Sequence, residues 1–251
     1  VADYRAELQE AFARWPWLTS LHVHVGSQGC EVDLLTQGVR TVVDLALEIE
    51  NELGVGRISC IDIGGGLPVA YRPEEVAPTF QQYAAALQKS VPEIFEGHWE
   101  LVTEFGRAVW ANAAFAVSRV EYTKMAGGKR IAVIHLGADM FVRPAYLPGS
   151  WHHKISVLDA GGDVKEGPII EQDIAGPLCF SGDYIAKDRA LPKIEPGDYV
   201  VVHDVGAYTL SMWSRYNSRL SPAVYGYSAA TEELTLLRTA ETVEEVCRFW
   251  E

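Results

Sequence analysis

Five short clusters in this 251-residue chain combine reactive residue types at close spacing. In His22-Val23-His24-Val25-Gly26-Ser27-Gln28, strand geometry puts both imidazoles on one face and both valines on the other. Paired imidazoles suit a metal ion; equally, one could lie flat on an aromatic ligand while Ser27 holds a phosphate, or a histidine could be satisfied by backbone in the core. Asp62-Ile63-Gly64-Gly65-Gly66 lets consecutive backbone N–H groups approach an anion without side-chain obstruction, or serves only as a tight strand-to-helix turn. In Glu104-Phe105-Gly106-Arg107 the carboxylate and guanidinium could pair with each other. Alternatively the carboxylate could keep a pyridine nitrogen protonated while the arginine takes a phosphate or carboxylate. Gly176-Pro177-Leu178-Cys179-Phe180-Ser181-Gly182-Asp183 presents one thiol among small residues, a setting in which inert packing is common. His203-Asp204-Val205-Gly206-Ala207-Tyr208 ends in a tyrosine that suits either a ligand or a hydrogen-bonded core.

The elements that carry these clusters alternate helix and strand over the first hundred residues. Helical spacing runs from Asp3 to Arg14 and again from Leu34 to Leu53, where Gly54 suits a C-cap, and a third amphipathic helix is expected from Val76 to Leu87. Strands are expected at Leu18–Val25, Arg57–Ile63 and Trp99–Thr103. This is βαβ grammar, which implies a parallel sheet. The first three clusters then fall at the carboxyl ends of successive strands, where α/β folds place their sites. Three such units do not close a barrel, which needs eight strands. The chain also opens inside a helix, so further units are expected upstream. After about residue 110 short β-rich runs (Phe115–Tyr122, Ile131–Leu136, Lys154–Leu158, Tyr199–His203, Leu234–Leu237) alternate with turn clusters, and a helix near Val243–Trp250 follows. The expected architecture is α/β: the C-terminal part of a TIM-type βα barrel over 1–109, then a mainly antiparallel β domain over 110–251.

Bulk properties narrow the partners. A net charge of −13 opposes binding to nucleic acid or an anionic membrane. No apolar run is long enough to span a bilayer, and no signal-peptide pattern is present. Cys30, Cys60, Cys179 and Cys247 form no CxxC pair, which fits free thiols in a reducing, cytoplasmic setting better than a disulfide framework or zinc site.

Taken in order, HxHxGS, GGG, E-x-G-R, C-x-S-G-D and GAY resemble the fold-type III pyridoxal-phosphate decarboxylases, the group of diaminopimelate, ornithine and arginine decarboxylases. The similarity covers residues 18 to 227 and is strongest to diaminopimelate decarboxylase-like members. It implies pyridoxal 5'-phosphate as cofactor, no metal, an amino acid substrate and a homodimer whose active site is shared across the interface. By position, His24 resembles the histidine stacked on the cofactor ring, and Ser27, Gly64, Gly65 and Gly66 resemble its phosphate donors. Glu104 matches the partner of the pyridinium nitrogen, Arg107 an arginine at the phosphate or substrate carboxylate, and Tyr208 a tyrosine near the phosphate. Cys179 resembles the acid that reprotonates the substrate, Arg143 the arginine for a distal carboxylate, and Asp183 a member of the substrate loop. The chemistry is coherent: loss of carbon dioxide leaves a carbanion, a protonated pyridine accepts its electrons, and a thiol with a reference pKa of about 8.5 suits reprotonation.

The resemblance departs at several points. None of Lys89, Lys124, Lys129, Lys154, Lys165, Lys187 and Lys193 matches the family's Schiff-base lysine on the first barrel strand, so that residue is expected outside this chain, which by itself should be nearly inactive. Phe105 stands where proline is usual and Phe180 where a substrate-contacting glutamate is usual, and Tyr146 is one position short of the expected spacing. Diaminopimelate itself is thereby in doubt, and another basic or carboxylated amino acid comes into view. Two other classes remain: a non-catalytic decarboxylase-like regulator, and a metal-dependent barrel hydrolase built on His22 and His24, with His98 the nearby further ligand. Alanine racemase is a structural cousin, but it uses a tyrosine where C-x-S-G-D here offers a thiol.

Overall fold

The computed structural model describes residues 2–251 and divides into two compact units, one through Ala113 and one from Ala114. In the first, α1 (Arg5–Arg14), β1 (Ser20–His22), α2 (Val32–Leu53), β2 (Cys60–Asp62), α3 (Phe80–Ser90), β3 (Glu100–Val102) and α4 (Gly106–Trp110) follow in order. The three strands form a parallel sheet in the order β1-β2-β3, with His22, Asp62 and Val102 in register at its carboxyl edge. That register is what brings the first three clusters to one edge.

α2 forms because its apolar residues recur at helical spacing. Leu35, Val39, Val42, Val43, Ala46 and Ile49 are buried against Leu21, Ile61 and Ile63 of the sheet region. Each large side chain so buried stabilises the unit by about 1.5–3 kcal/mol. Gly54 ends the helix at φ 105°, its N–H donating to the Glu50 carbonyl. The Glu50 carboxylate accepts from the backbone N–H of Gly56 (2.8 Å) and Ile58 (3.3 Å) and meets His98 Nε2 at 2.8 Å, so His98 belongs to this turn. α3 starts at a Thr79–Gln82 capping box and not at Val76, which is 96% exposed; the reciprocal cap outweighs one more apolar residue in the periodicity.

The strands are shorter than their apolar runs suggested. β1 ends at His22, so His24 lies in the loop beyond it, although the Val23 N–H still donates to the Asp62 carbonyl at 2.9 Å. The alternation survives, because Val23 and Val25 still pack on the core.

The second unit contains β4 (Phe115–Ala126), β5 (Lys129–Ile134), α5 (Val142–Tyr146), β6 (Ile155–Leu158), β7 (Ile169–Ala175), β8 (Tyr184–Pro192), β9 (Tyr199–His203), β10 (Val224–Ser228), β11 (Glu233–Arg238) and α6 (Val243–Trp250). Six strands make one sheet, β6-β9-β4-β5-β7-β8, antiparallel except at the β5–β7 pair, and β10 and β11 form a separate hairpin. Sequence patterning missed β7, β8 and β10. β7 and β8 carry Glu171, Gln172, Asp173, Lys187, Asp188 and Arg189 within their span, which interrupts the apolar alternation. Buried Gln172 is accommodated by donating to the Leu191 and Pro192 carbonyls and accepting from the Ile194 N–H. The α/β architecture of a partial βα barrel followed by a mainly antiparallel domain holds. Among the described residues no helix is long and apolar enough to cross a membrane.

His153 is buried, with Nδ1 2.9 Å from the His203 carbonyl oxygen. Burial holds its pKa below the ordinary imidazole value of about 6.5, because charging it would lose hydration. Below pH 6.5 the unfolded chain therefore takes up a proton that the folded chain refuses, so stability falls with acidification there and levels off above. Urea midpoints should drop from pH 6.5 to 5, and His153→Asn should flatten that slope; an equal slope in both proteins would remove His153 as the cause.

Candidate active site

In the first unit the tip loops of the three parallel strands pack backbone against backbone. A Cβ at Gly64 would run into the Val23 carbonyl, one at Gly65 into the Glu104 carbonyl, and one at Gly66 into the Gly26 carbonyl. Gly64 and Gly66 also take positive φ of 67° and 93°. The glycine run is therefore required by close approach of neighbouring loops, whatever else its N–H groups bind. The loops are tied further by Glu104 N–H to the Gly64 carbonyl (2.8 Å), and the Gly64 N–H is held within its own loop by Asp62 Oδ1 (2.8 Å).

This packing gathers the reactive side chains. The Gly65 N–H donates to His24 Nδ1 at 3.3 Å, which makes Nδ1 an acceptor and leaves the neutral imidazole's proton on Nε2. His24 Nδ1 is also 3.9 Å from Glu104 Oε2, but a ring nitrogen that accepts from a fixed amide has no proton for that carboxylate. His22 Nε2 lies 3.7 Å from the same oxygen. Arg107 is buried to 5% exposure, donates to the Tyr71 hydroxyl (2.8 Å) and reaches Ser27 Oγ at 3.3 Å. So Glu104 turns toward the histidines while Arg107 turns toward Ser27, and His24, Ser27, Gly64, Gly65, Gly66, Glu104 and Arg107 form one continuous cluster. Ligand atoms of His22, Asp62 and Glu104 also lie within 4.8 Å of one another, a spacing that could hold a metal ion; His24 is not in that set. A neighbouring cavity of about 640 Å³, lined by Gln28, Cys30, Val69, Glu75 and others, is not lined by His24, Ser27, Glu104 or Arg107.

The second unit brings together the other candidates. The loop between β7 and β8 carries Cys179, which is exposed. Phe180 stacks on Tyr146 of α5 with ring centroids 4.9 Å apart, and Arg143 of α5 lies between Trp151 (4.5 Å) and Tyr208 (4.0 Å) in cation–π contacts. Tyr208 is held at φ 57°. Asp183 stands at the end of the same loop, just before β8. Its carboxylate is buried and both oxygens are engaged, accepting from the N–H of Ala138 (2.6 Å) and of Leu178 (2.7 Å). Asp183 is the anchor beneath the thiol loop. Burial raises its pKa despite those donors, and burial likewise raises that of nearby Asp139.

A family model described as "Pyridoxal-dependent decarboxylase, C-terminal sheet domain" matches residues 4–206. The chain belongs to this family. It is 33% identical over 240 residues to diaminopimelate decarboxylase of Escherichia coli, covering 91% of this chain and 55% of that protein. Against the Archaeoglobus fulgidus diaminopimelate decarboxylase it is 36% identical over 206 residues, with 79% and 46% covered. A crystal structure of diaminopimelate decarboxylase from Helicobacter pylori complexed with L-lysine superposes with a TM-score of 0.83 at 27% identity, covering 98% of this chain and 59% of that one. The chain thus spans about half the length of the curated relatives it matches.

The cluster in this chain fits the family's cofactor on donor chemistry alone. A phosphate needs clustered N–H and O–H donors, which Ser27, Arg107 and Tyr71 supply, and a pyridinium needs a carboxylate, which Glu104 supplies. Sequence reading missed Tyr71, which holds Arg107, because it stands in none of the short clusters. It also missed Gln28, although that residue ends the first one; its amide bonds Val69 in both directions (2.5 and 3.1 Å) and fixes the two loops together. Gly65→Ala should destabilise the chain by about 1–3 kcal/mol, since the added Cβ meets backbone that cannot rotate away. Gly29→Ala, whose Cβ meets nothing but whose φ is 89°, should cost only the backbone strain, about 1–2 kcal/mol. Denaturant melts of the two compare packing with strain directly, and equal costs would show that the loop approach is looser than described.

Proposed function

We propose that the protein carrying this chain is a pyridoxal-phosphate-dependent amino acid decarboxylase of the diaminopimelate-like kind. The observation that carries the proposal is the split within one cluster: Arg107 faces Ser27, and Glu104 faces His22 and His24. A phosphorylated pyridine needs this separation of an anion-binding end from a carboxylate end.

Bound there, the cofactor would supply an electron sink for the bond to the departing carboxyl group. Arg107 and Ser27 hold the phosphate, and Gly65 and Gly66 allow the backbone to lie close beside it. Tyr208 is assigned to the phosphate from its motif position. Glu104 keeps a proton on the ring nitrogen by charge pairing. His24 offers the flat face of its ring, oriented by the Gly65 N–H on Nδ1. Cys179 is the acid that returns a proton to the substrate carbon, and Arg143 takes a distal carboxylate of the substrate. Phe180 offers no charge to a distal ammonium, which supports a diaminopimelate-like amino acid over diaminopimelate itself. The family relation supports a homodimer with a shared active site.

The test is a spectroscopic titration with pyridoxal 5'-phosphate and, separately, with pyridoxal. Arg107→Met should weaken the phosphorylated ligand tenfold or more and leave pyridoxal within about twofold, because a lost charge-assisted pair is worth about 1.5–3 kcal/mol. Equal loss for both ligands would take the phosphate away from Arg107, and zinc binding that protects His22 from modification would favour a metal centre at His22, Asp62 and Glu104.

The only lysine up to Ala113 is Lys89, in the last turn of α3, at the far end of the βαβ unit from the strand tips. The chain by itself, with cofactor added, should therefore release no carbon dioxide from diaminopimelate, lysine or ornithine above background. Turnover at an ordinary enzymatic rate would contradict the assignment of the cofactor lysine to another part of the protein.

A further inference from the structure

We infer that Tyr216 and Asn217 are positioning residues for the Cys179 thiol, an inference that rests on reading Cys179 as the acid. The peptide groups on both sides of the Cys179 Cα are held by this dipeptide. The Cys179 N–H donates to Asn217 Oδ1 at 2.9 Å, and the Cys179 carbonyl accepts from the Tyr216 hydroxyl at 2.7 Å. With both flanking peptides fixed, the direction of the Cα–Cβ bond is fixed, and only rotation about χ1 is left to the thiol.

The rest of the loop is insufficient for this. Asp183 anchors Leu178 from beneath, and Phe180 rests on Tyr146, but neither touches the polar groups of Cys179 itself. Residue 179 is exposed, and an exposed loop peptide without side-chain partners exchanges among conformers readily. The Tyr216–Asn217 turn is itself held in an uncommon backbone state. Asn217 sits at φ 55° and Ser218 at φ 52°, in the left-handed region, where asparagine is among the few non-glycine residues tolerated. The turn is closed by Ser218 N–H to the Arg215 carbonyl at 2.8 Å. Arg215 in turn pairs with Glu241 and lies over Trp213 (5.2 Å) and over Phe249 of the C-terminal helix (4.3 Å). A strained turn supported by an ion pair and two rings, with its two side chains directed at the two peptides that flank one exposed residue, is arranged as a holder of that residue.

Three variants of the full chain test the inference. Asn217→Gly accepts the left-handed backbone and removes only the oxygen, Asn217→Asp keeps an acceptor, and Tyr216→Phe removes only the hydroxyl. The readouts are the pH profile of Cys179 alkylation by iodoacetamide, measured on the peptide containing Cys179 with exposed Cys247 as internal reference, and amide exchange across residues 178–182. Asn217→Gly and Tyr216→Phe should each speed exchange of that segment tenfold or more. They should also speed Cys179 alkylation threefold or more relative to Cys247 at pH 7.5, because the thiol is no longer held to one direction, and in Asn217→Gly the released N–H can also stabilise the thiolate. Asn217→Asp should return both to the parent rate or below. An unchanged Cys179 profile in Asn217→Gly and Tyr216→Phe, or an Asn217→Asp indistinguishable from Asn217→Gly, overturns the inference. Neither readout uses cofactor or turnover, so failure of the decarboxylase reading would appear in the pyridoxal-phosphate titration and leave this result legible on its own.

Discussion

The first unit depends on one steric constraint: three consecutive strand tips approach so closely that their backbones are in contact. Gly64, Gly65 and Gly66 each face a carbonyl of a neighbouring tip, so no side chain fits between the loops. The register of β1, β2 and β3 sets the height of the tips, and the glycines set their spacing. Everything chemical in that unit follows from this contact. Had the loops stood a side chain apart, the Gly65 N–H would not reach His24, and Glu104 would not lie beside both histidines.

The second unit solves a different problem, which is presenting a thiol on an exposed loop without losing its orientation. Secondary structure cannot do this, because the chain between β7 and β8 has no ladder partner. A buried carboxylate anchors the base of the loop, and the Tyr216 and Asn217 side chains hold the peptides of Cys179 itself. Asp183 spends both oxygens on backbone N–H groups, which links the loop to the segment after β5. Burying it is costly, as its raised pKa shows, and two charge-assisted hydrogen bonds offset that cost. An apolar residue there would leave two buried N–H groups without acceptors.

The sequence revealed those features whose physical cause is local. The α2 stripe, its Gly54 cap, β9 and α6 follow from periodicity and capping, and the structure places them where the pattern does. β7 and β8 were illegible because their stability comes from cross-strand partners, with polar residues satisfied by distant backbone, as Gln172 shows. The same division runs through the candidate site. Clusters such as His22–Gln28 and Glu104–Arg107 were visible because their members are neighbours in the chain. Tyr71, 36 residues from Arg107, was not, and the role of Asp183 could not be read because its partners are backbone groups, which look alike in every sequence. A motif names the residue types at a site, and only the fold says which of them act and which hold others in place.

The net charge of −13 shows why bulk properties and site chemistry part company. Carboxylates on the surface are screened over about 8–10 Å at physiological salt, so most of that charge is not felt at a given strand tip. What matters locally is that Arg107 is taken out of water beside Tyr71 and Ser27, where its field is weakened far less than at the surface. An acidic protein can hold an anion there without contradiction, because one desolvated cation with aligned donors outweighs many screened charges at its own surface.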